Sequence, residues 1–175
     1  DRAIHLSVRN AGLYINRALS RYHQNNLRGA MNDYDIAIDM DRNNFIGHYN
    51  RGLLRAQVGD DNRAIEDFNF VIDMEPDNMM AIFNRGTLLE QTGDLKGAIK
   101  DYTTVLEAYP NFLLGYQMRS AVYRKMGDAK KAQADEFKVL KAQLDMRNGT
   151  TKSSANKDKE EKEEKETRGT RRKSD

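Results

Sequence analysis

Cysteine is absent from this chain, which removes disulfides, thiolate metal sites and a cysteine nucleophile while leaving the compartment open. No apolar run approaches the ~20 residues needed to cross a bilayer, so direct membrane insertion is not expected. An excess of one charge is missing too. Residues 148–175 carry nine Lys/Arg against seven Asp/Glu, and the remainder balances at zero within a net charge of +2. A neutral body lacks the concentrated basic face that phosphate backbones require, so nucleic acid is not the expected partner. Catalytic signatures are also missing, with no Walker loop, no H-E-x-x-H and no G-x-S-x-G. His5, His23 and His48 stand apart without partners at ligand spacing. Asp39-x-Asp41-x-Asn43 begins like a calcium loop, but Asn44 and Asn50 occupy the places that need Gly and a carboxylate. Neither a metal nor another cofactor is expected, and the chain reads as non-enzymatic.

What the chain does have is a period of 34 residues. Asn50-Arg51-Gly52 recurs as Asn84-Arg85-Gly86, and Gly59-Asp60 recurs as Gly93-Asp94 and Gly127-Asp128. Ala64-Ile65-x-Asp67-Phe68 falls on Ala98-Ile99-x-Asp101-Tyr102, Pro76 on Pro110, and Asn16-Arg17-Ala18 fits one step earlier. The units are 11–44, 45–78, 79–112 and 113–146 or 147, the last with an extended second helix that caps the stack. Ala3-Ile4-His5-Leu6 aligns with Ala37-Ile38-Asp39-Met40, so residues 1–10 are expected to end a truncated preceding repeat. The start at Asp1, without Met, fits a fragment or processed form. Residues 148–175 hold no hydrophobic residue except Ala155 and are expected to form a disordered charged tail.

Each unit reads as two helices. Ala64, Ile65, Phe68, Val71 and Ile72 make one helical stripe, and Phe45, Tyr49, Leu53 and Ala56 make another. Gly59 suits the left-handed residue that ends a helix, and Asp60 suits the cap of the next. In the first unit Asn25-Asn26 replaces this pair, and Pro76 and Pro110 stop second helices. In the fourth, Phe137, Val139, Leu140 and Leu144 are expected to supply the inner side of the last helix.

These motifs resemble the tetratricopeptide repeat family, and more narrowly its bacterial arrays reading N-R-G … G-D … A-I-x-D-Y. Ala30/Tyr34, Ala64/Phe68, Ala98/Tyr102 and Ala132 carry the signature, with Ala18, Gly52, Gly86 and Ser120 at the small position. Glu136, Leu144 and Arg42 depart from it, the first standing where an aromatic is usual and the others where Pro is. The resemblance implies an all-α fold, an α-α superhelix or solenoid of helix-turn-helix repeats, with a concave wall built mostly by first helices. A soluble protein is implied, with a lean to the bacterial cell envelope or periplasm over the cytoplasm.

Where the wider family usually has Leu, this chain places Arg17, Arg51, Arg85 and Arg119, and sixteen residues later Asp33, Asp67, Asp101 and Asp135. They read either as structural ion pairs between helices or as independent solvated positions. Family resemblance also assigns Asn16, Asn50 and Asn84 to the concave face, similar to an asparagine ladder that binds peptide backbones through its amides. Beside them lie Ile15, Tyr49 and Phe83, then Ile46, Met80 and Leu114, then Leu19 and Leu53. These form an apolar strip for a guest or pack between units. A carboxylate clamp is not expected, because its best frame supplies Ile15, Leu19, Asn50, Met80 and Asn84, with every cation absent.

The expected function is a scaffold that binds a protein or peptide in its groove. Two alternatives stay open. One is an assembly subunit of a larger cell-envelope complex, with self-association through the truncated N-terminal end. The other is a binding region of an enzyme whose catalytic domain lies elsewhere.

Overall fold

A computed structural model describes residues 2–148, and among these it shows eight helices and no strand. They are α1 (Arg2–His23), α2 (Leu27–Met40), α3 (Phe45–Gln57), α4 (Asp61–Met74), α5 (Met79–Thr92), α6 (Leu95–Ala108), α7 (Leu113–Lys125) and α8 over residues 129–148. Helices adjacent in the chain pack on one another, within a hairpin (α1 on α2, α3 on α4, α5 on α6) and between hairpins (α2 on α3, α4 on α5, α6 on α7). This is an all-α solenoid of helical hairpins. The charged tail expected over 148–175 lies outside the described residues, apart from Asn148.

The hairpin turns share one backbone device. Gly59, Gly93 and Gly127 have φ of 81°, 94° and 79°, the left-handed region where a side chain is strained. Asn25 takes the same role in the first unit with φ 59°. Side-chain caps start most of the helices. Asn26, Asn44, Asn78 and Asp94 each accept a hydrogen bond from the backbone N–H three residues on. Asp60, expected to cap α4, does not do so. Its carboxylate instead meets Arg63 at 3.4 Å.

Close approach explains the small position. A Cβ added to Gly52 would lie 3.2 Å from Asp67 and Phe68, and one on Gly86 would lie 3.0 Å from Asp101 Cβ. Second helices can therefore press against first helices and bury Tyr34, Phe68 and Tyr102 almost completely. Between units, Ile38 and Leu106 press on Gly47 and Gly115 in the same knob-on-small manner.

Two boundaries differ from expectation. Residues 7–10, in frame with the loop at 41–44, are helical, so α1 runs through residue 10 without the break expected there. Ser7-Val8-Arg9-Asn10 has neither the Asp41 side chain that bonds the loop residues Asn43 and Asn44 nor a Pro or Gly to stop a helix. On α8, Val139 is buried, but Phe137, Leu140 and Leu144 are exposed and not on the inner side. Leu140 matches Ile38 and Leu106, which are covered by the next unit's first helix; among the described residues no further helix covers Leu140.

Candidate functional site

The arginine of each first helix meets the aspartate of the following second helix, because the tight turn folds the two antiparallel. Arg17, Arg51, Arg85 and Arg119 donate Nε and Nη2 to the two carboxylate oxygens of Asp33, Asp67, Asp101 and Asp135 at 2.7–3.0 Å. Two parallel bonds to one carboxylate are the geometry a guanidinium holds best. All four aspartates are buried. Three of the arginines also reach backward with Nη1, to Asp35 at 2.8 Å, Asn69 at 2.9 Å and Thr103 at 2.9 Å in the preceding unit. One side chain thus closes its own hairpin and stitches it to its neighbour. The sequence reading missed this second contact; its trace is an oxygen-bearing side chain two places after each of the first three aspartates.

Additional donors distinguish the first two units. Arg21 lies 2.7 Å from Asp33, and Asp67 accepts from Arg55 at 2.7 Å while facing His48 Nδ1 at 3.0 Å. For Asp33, the hydrogen bond from Arg17 is the largest influence and holds the carboxyl below its ordinary range against the cost of burial. For Asp67, burial is the largest influence and pushes upward. The bonds from His48 and Arg51, with the charges of Arg51 and Arg55, together outweigh it and hold the carboxyl low. Among the described residues no buried side-chain nitrogen or oxygen is left without a hydrogen bond. Buried charge here is fully engaged in holding helices together.

Proposed groove residues separate by exposure. Ile15 is buried at 6% and belongs to the first core cluster. Tyr49 and Phe83 are half-buried; they pack edge-on or tilted against Phe68 and Tyr102, at ring distances of 5.8 and 5.6 Å. The fifth place therefore serves mainly packing in the first three units. Leu19 also joins the first cluster. The second place differs, since Ile46, Met80 and Leu114 are 50%, 63% and 46% exposed, and Leu53 is exposed as well. Among the asparagines, Asn16 is exposed, Asn50 donates to Ile46 O in its own helix, and Asn84 donates to the Tyr49 hydroxyl at 3.2 Å. Asn50 and Asn84 are half-buried, and each amide retains an oxygen that takes no part in these bonds.

A cleft of about 750 Å³ opens between the α4–α5 and α6–α7 connections. Met79, Met80, Phe83, Val105, Tyr109 and Phe112 form its apolar wall, with Glu75 and Asp77 also lining it. Phe112 stands where Asn44 and Asn78 cap the earlier first helices, and α7 has no side-chain cap. Instead its ring meets Phe83 edge-on at 5.2 Å. Losing such a cap costs about 1 kcal/mol, so the third joint has exchanged helix stability for an aromatic surface.

The family profile "Tetratricopeptide repeat" matches residues 49–111, which span the joint between the second and third units. Over those residues the chain is a tetratricopeptide repeat array. Solved structures agree on the fold. A crystal structure of MamA superposes with a TM-score of 0.74 at 16% identity, covering 79% of this chain and 81% of that one. MamA 41-end from Desulfovibrio magneticus RS-1 gives 0.71 at 22% identity over 75% and 74%. The first TPR of Spaghetti (RPAP3), bound to the HSP90 peptide SRMEEVD, gives 0.65 at 21% identity over 69% and 95%. No curated protein sequence matches the chain. Helices of this tetratricopeptide array show no segment long and apolar enough to cross a membrane among the described residues.

Proposed function

We propose that this tetratricopeptide array is a non-catalytic scaffold that holds a protein or peptide segment along the concave face of its first helices. The observation that carries the reading is the register of Ile46, Met80 and Leu114, which repeat every 34 residues and are all about half exposed or more. An apolar row at unit spacing fits the side chains of a guest chain, and the neighbouring Asn16, Asn50 and Asn84 offer amides to its backbone. The buried aspartates support the same reading, since each is held by an arginine of the facing helix. That the RPAP3 repeat was solved with a peptide lends the fold's precedent.

The test is capture of binding proteins by the wild type, by Asn50→Ala/Asn84→Ala and by Ile46→Asp/Met80→Asp/Leu114→Asp. Hydrogen exchange then maps where a captured protein protects the array. Protection of α3, α5 and α7, lost in the variants, is expected. Equal recovery by all three proteins, or protection confined to second helices, would rule the groove out.

A second reading, assembly into a larger complex, is favoured by α8, where Phe137, Leu140 and Leu144 form an exposed apolar stripe. Sedimentation of Phe137→Asp/Leu140→Asp against the wild type tests it, because an assembly built on this stripe dissociates in the variant.

A further inference from the structure

We infer that the cleft at the third joint is a pocket for one apolar side chain of a partner polypeptide, flanked in that partner by Lys or Arg. This rests on the polypeptide-binding reading and specifies the chemistry of one part of the guest.

Three observations converge on it. First, the cleft is a local departure from the repeat. In the preceding joint, Asn78 and Glu75 hold the places of Phe112 and Tyr109, so two polar groups have given way to aromatic rings at this joint. Tyr109 and Met80 remain more than half exposed, leaving a wall of large apolar groups facing solvent. Second, the replacement removes a helix cap, while the Asn caps of α3 and α5 remain in place. A stack selected for helix stability alone would retain the Asn.

Third, the lining is acidic and has no cation. Glu75 and Asp77 stand at the cleft with no Lys or Arg among its lining residues, and Asp73 and Glu107 lie within two residues of it along the chain. An apolar anchor with acidic neighbours would be repelled there, and one with basic neighbours is drawn in. The cleft therefore selects against peptides such as SRMEEVD, whose charge is mostly acidic. The chain's own segment at 148–175 cannot be the occupant, because it offers cations but no large apolar residue.

The probe is the acetylated, amidated peptide Lys-Lys-Leu-Lys-Lys, titrated into the full chain carrying ¹³C-methyl methionine. Met79 and Met80 report on the cleft, and Met31, packed against the first core cluster, serves as the internal control. Saturable shifts of Met79 and Met80 are expected below about 1 mM. Replacing the central Leu by Ser, or the four Lys by Glu, is expected to weaken binding about tenfold or more. Two protein variants should do the same. Met80→Glu alters an exposed side chain, and Phe112→Asn removes the aromatic wall while restoring the cap used by α3 and α5, so its helix content should hold.

No shift at Met79 and Met80, or equal affinity for the Leu and Ser peptides, would overturn the proposal. So would wild-type affinity in folded Phe112→Asn. If the methyls stay still while the side-chain amides of Asn50 and Asn84 move, the pocket is lost and the groove stands. If the methyls respond and those amides do not, the pocket stands on its own, apart from the asparagine ladder. Shifts that grow with protein concentration alone and vanish in Phe137→Asp would support the pocket and identify a second copy as occupant, since Phe137 sits beside Lys138 and Lys141.

Discussion

Arg85 and Asp101 are joined by two parallel hydrogen bonds of 2.8 and 2.7 Å, and among the described residues no other side chain bonds that carboxylate. The pair Arg51–Asp67 has the same form, but Asp67 also holds Arg55 and faces His48. Equivalent arginines are therefore not energetically equivalent. Arg85→Ala leaves a buried charge uncompensated and is expected to cost ~3–5 kcal/mol. Arg51→Ala leaves Asp67 with two donors and is expected to cost ~1–3 kcal/mol. Urea denaturation of the two single variants decides the matter, and a reversed order would mean the extra donors do not share the charge.

Acid should act through the same carboxylates. Asp33 and Asp67 have folded pKa values below their ordinary ones, so their stabilisation is complete above the unfolded value near ~3.9 and disappears as pH falls through the folded values. The melting temperature should hold near neutrality and fall steeply below about pH 4. Asp67→Asn should start lower at pH 7 and show a shallower acid slope. A parallel fall in both proteins would remove Asp67 from the linkage.

The hairpin, its period and its turn residues were legible because they are written locally. A Gly or Asn at φ > 0 and a small residue opposite an aromatic must recur wherever the same geometry recurs. The Arg–Asp spacing was visible for the same reason. What was not legible depended on contacts across units. The backward reach of Arg51, Arg85 and Arg119 has acceptors of three different kinds, Asp35, Asn69 and Thr103, which no single-letter pattern unites. Ile15, Tyr49 and Phe83 looked equally suited to groove or core, and only the neighbouring rings fix them in packing. The cleft arises where Tyr109 and Phe112 break the repeat, and a departure has no copy to announce it.

Capping gives a comparison within one chain. Asp94 accepts from Gly97 N at 3.0 Å, while Asp60, at the same place one unit earlier, makes no cap bond. Asp94→Ala is expected to lower stability by about 1 kcal/mol, and Asp60→Ala by less than about 0.5 kcal/mol. Thermal unfolding of both variants measures it. Equal losses would show that Asp60 caps α4 in solution.

Gly86→Ala sets two effects of opposite sign against each other. Alanine favours a helix over glycine by ~1 kcal/mol, so propensity alone predicts a gain. Its Cβ, however, would stand 3.0 Å from Asp101 Cβ and 3.2 Å from the Tyr102 ring, both on the backbone-anchored side of a buried second helix. Tyr102 cannot move freely, because its hydroxyl bonds Glu90, which in turn holds Lys125 of the next unit at 2.7 Å. Separating α5 from α6 would also lengthen the bonds from Arg85 to Asp101. Overpacking of this kind costs ~1–3 kcal/mol, so a net loss is expected, with weaker coupling between Arg85 and Asp101 in a double-mutant cycle. Ala18 already occupies the matching place in the first unit, fully buried. The reverse change, Ala18→Gly, should therefore open a small void and destabilise as well, and a gain in stability from either substitution would show that the spacing of the hairpin is not set by this contact.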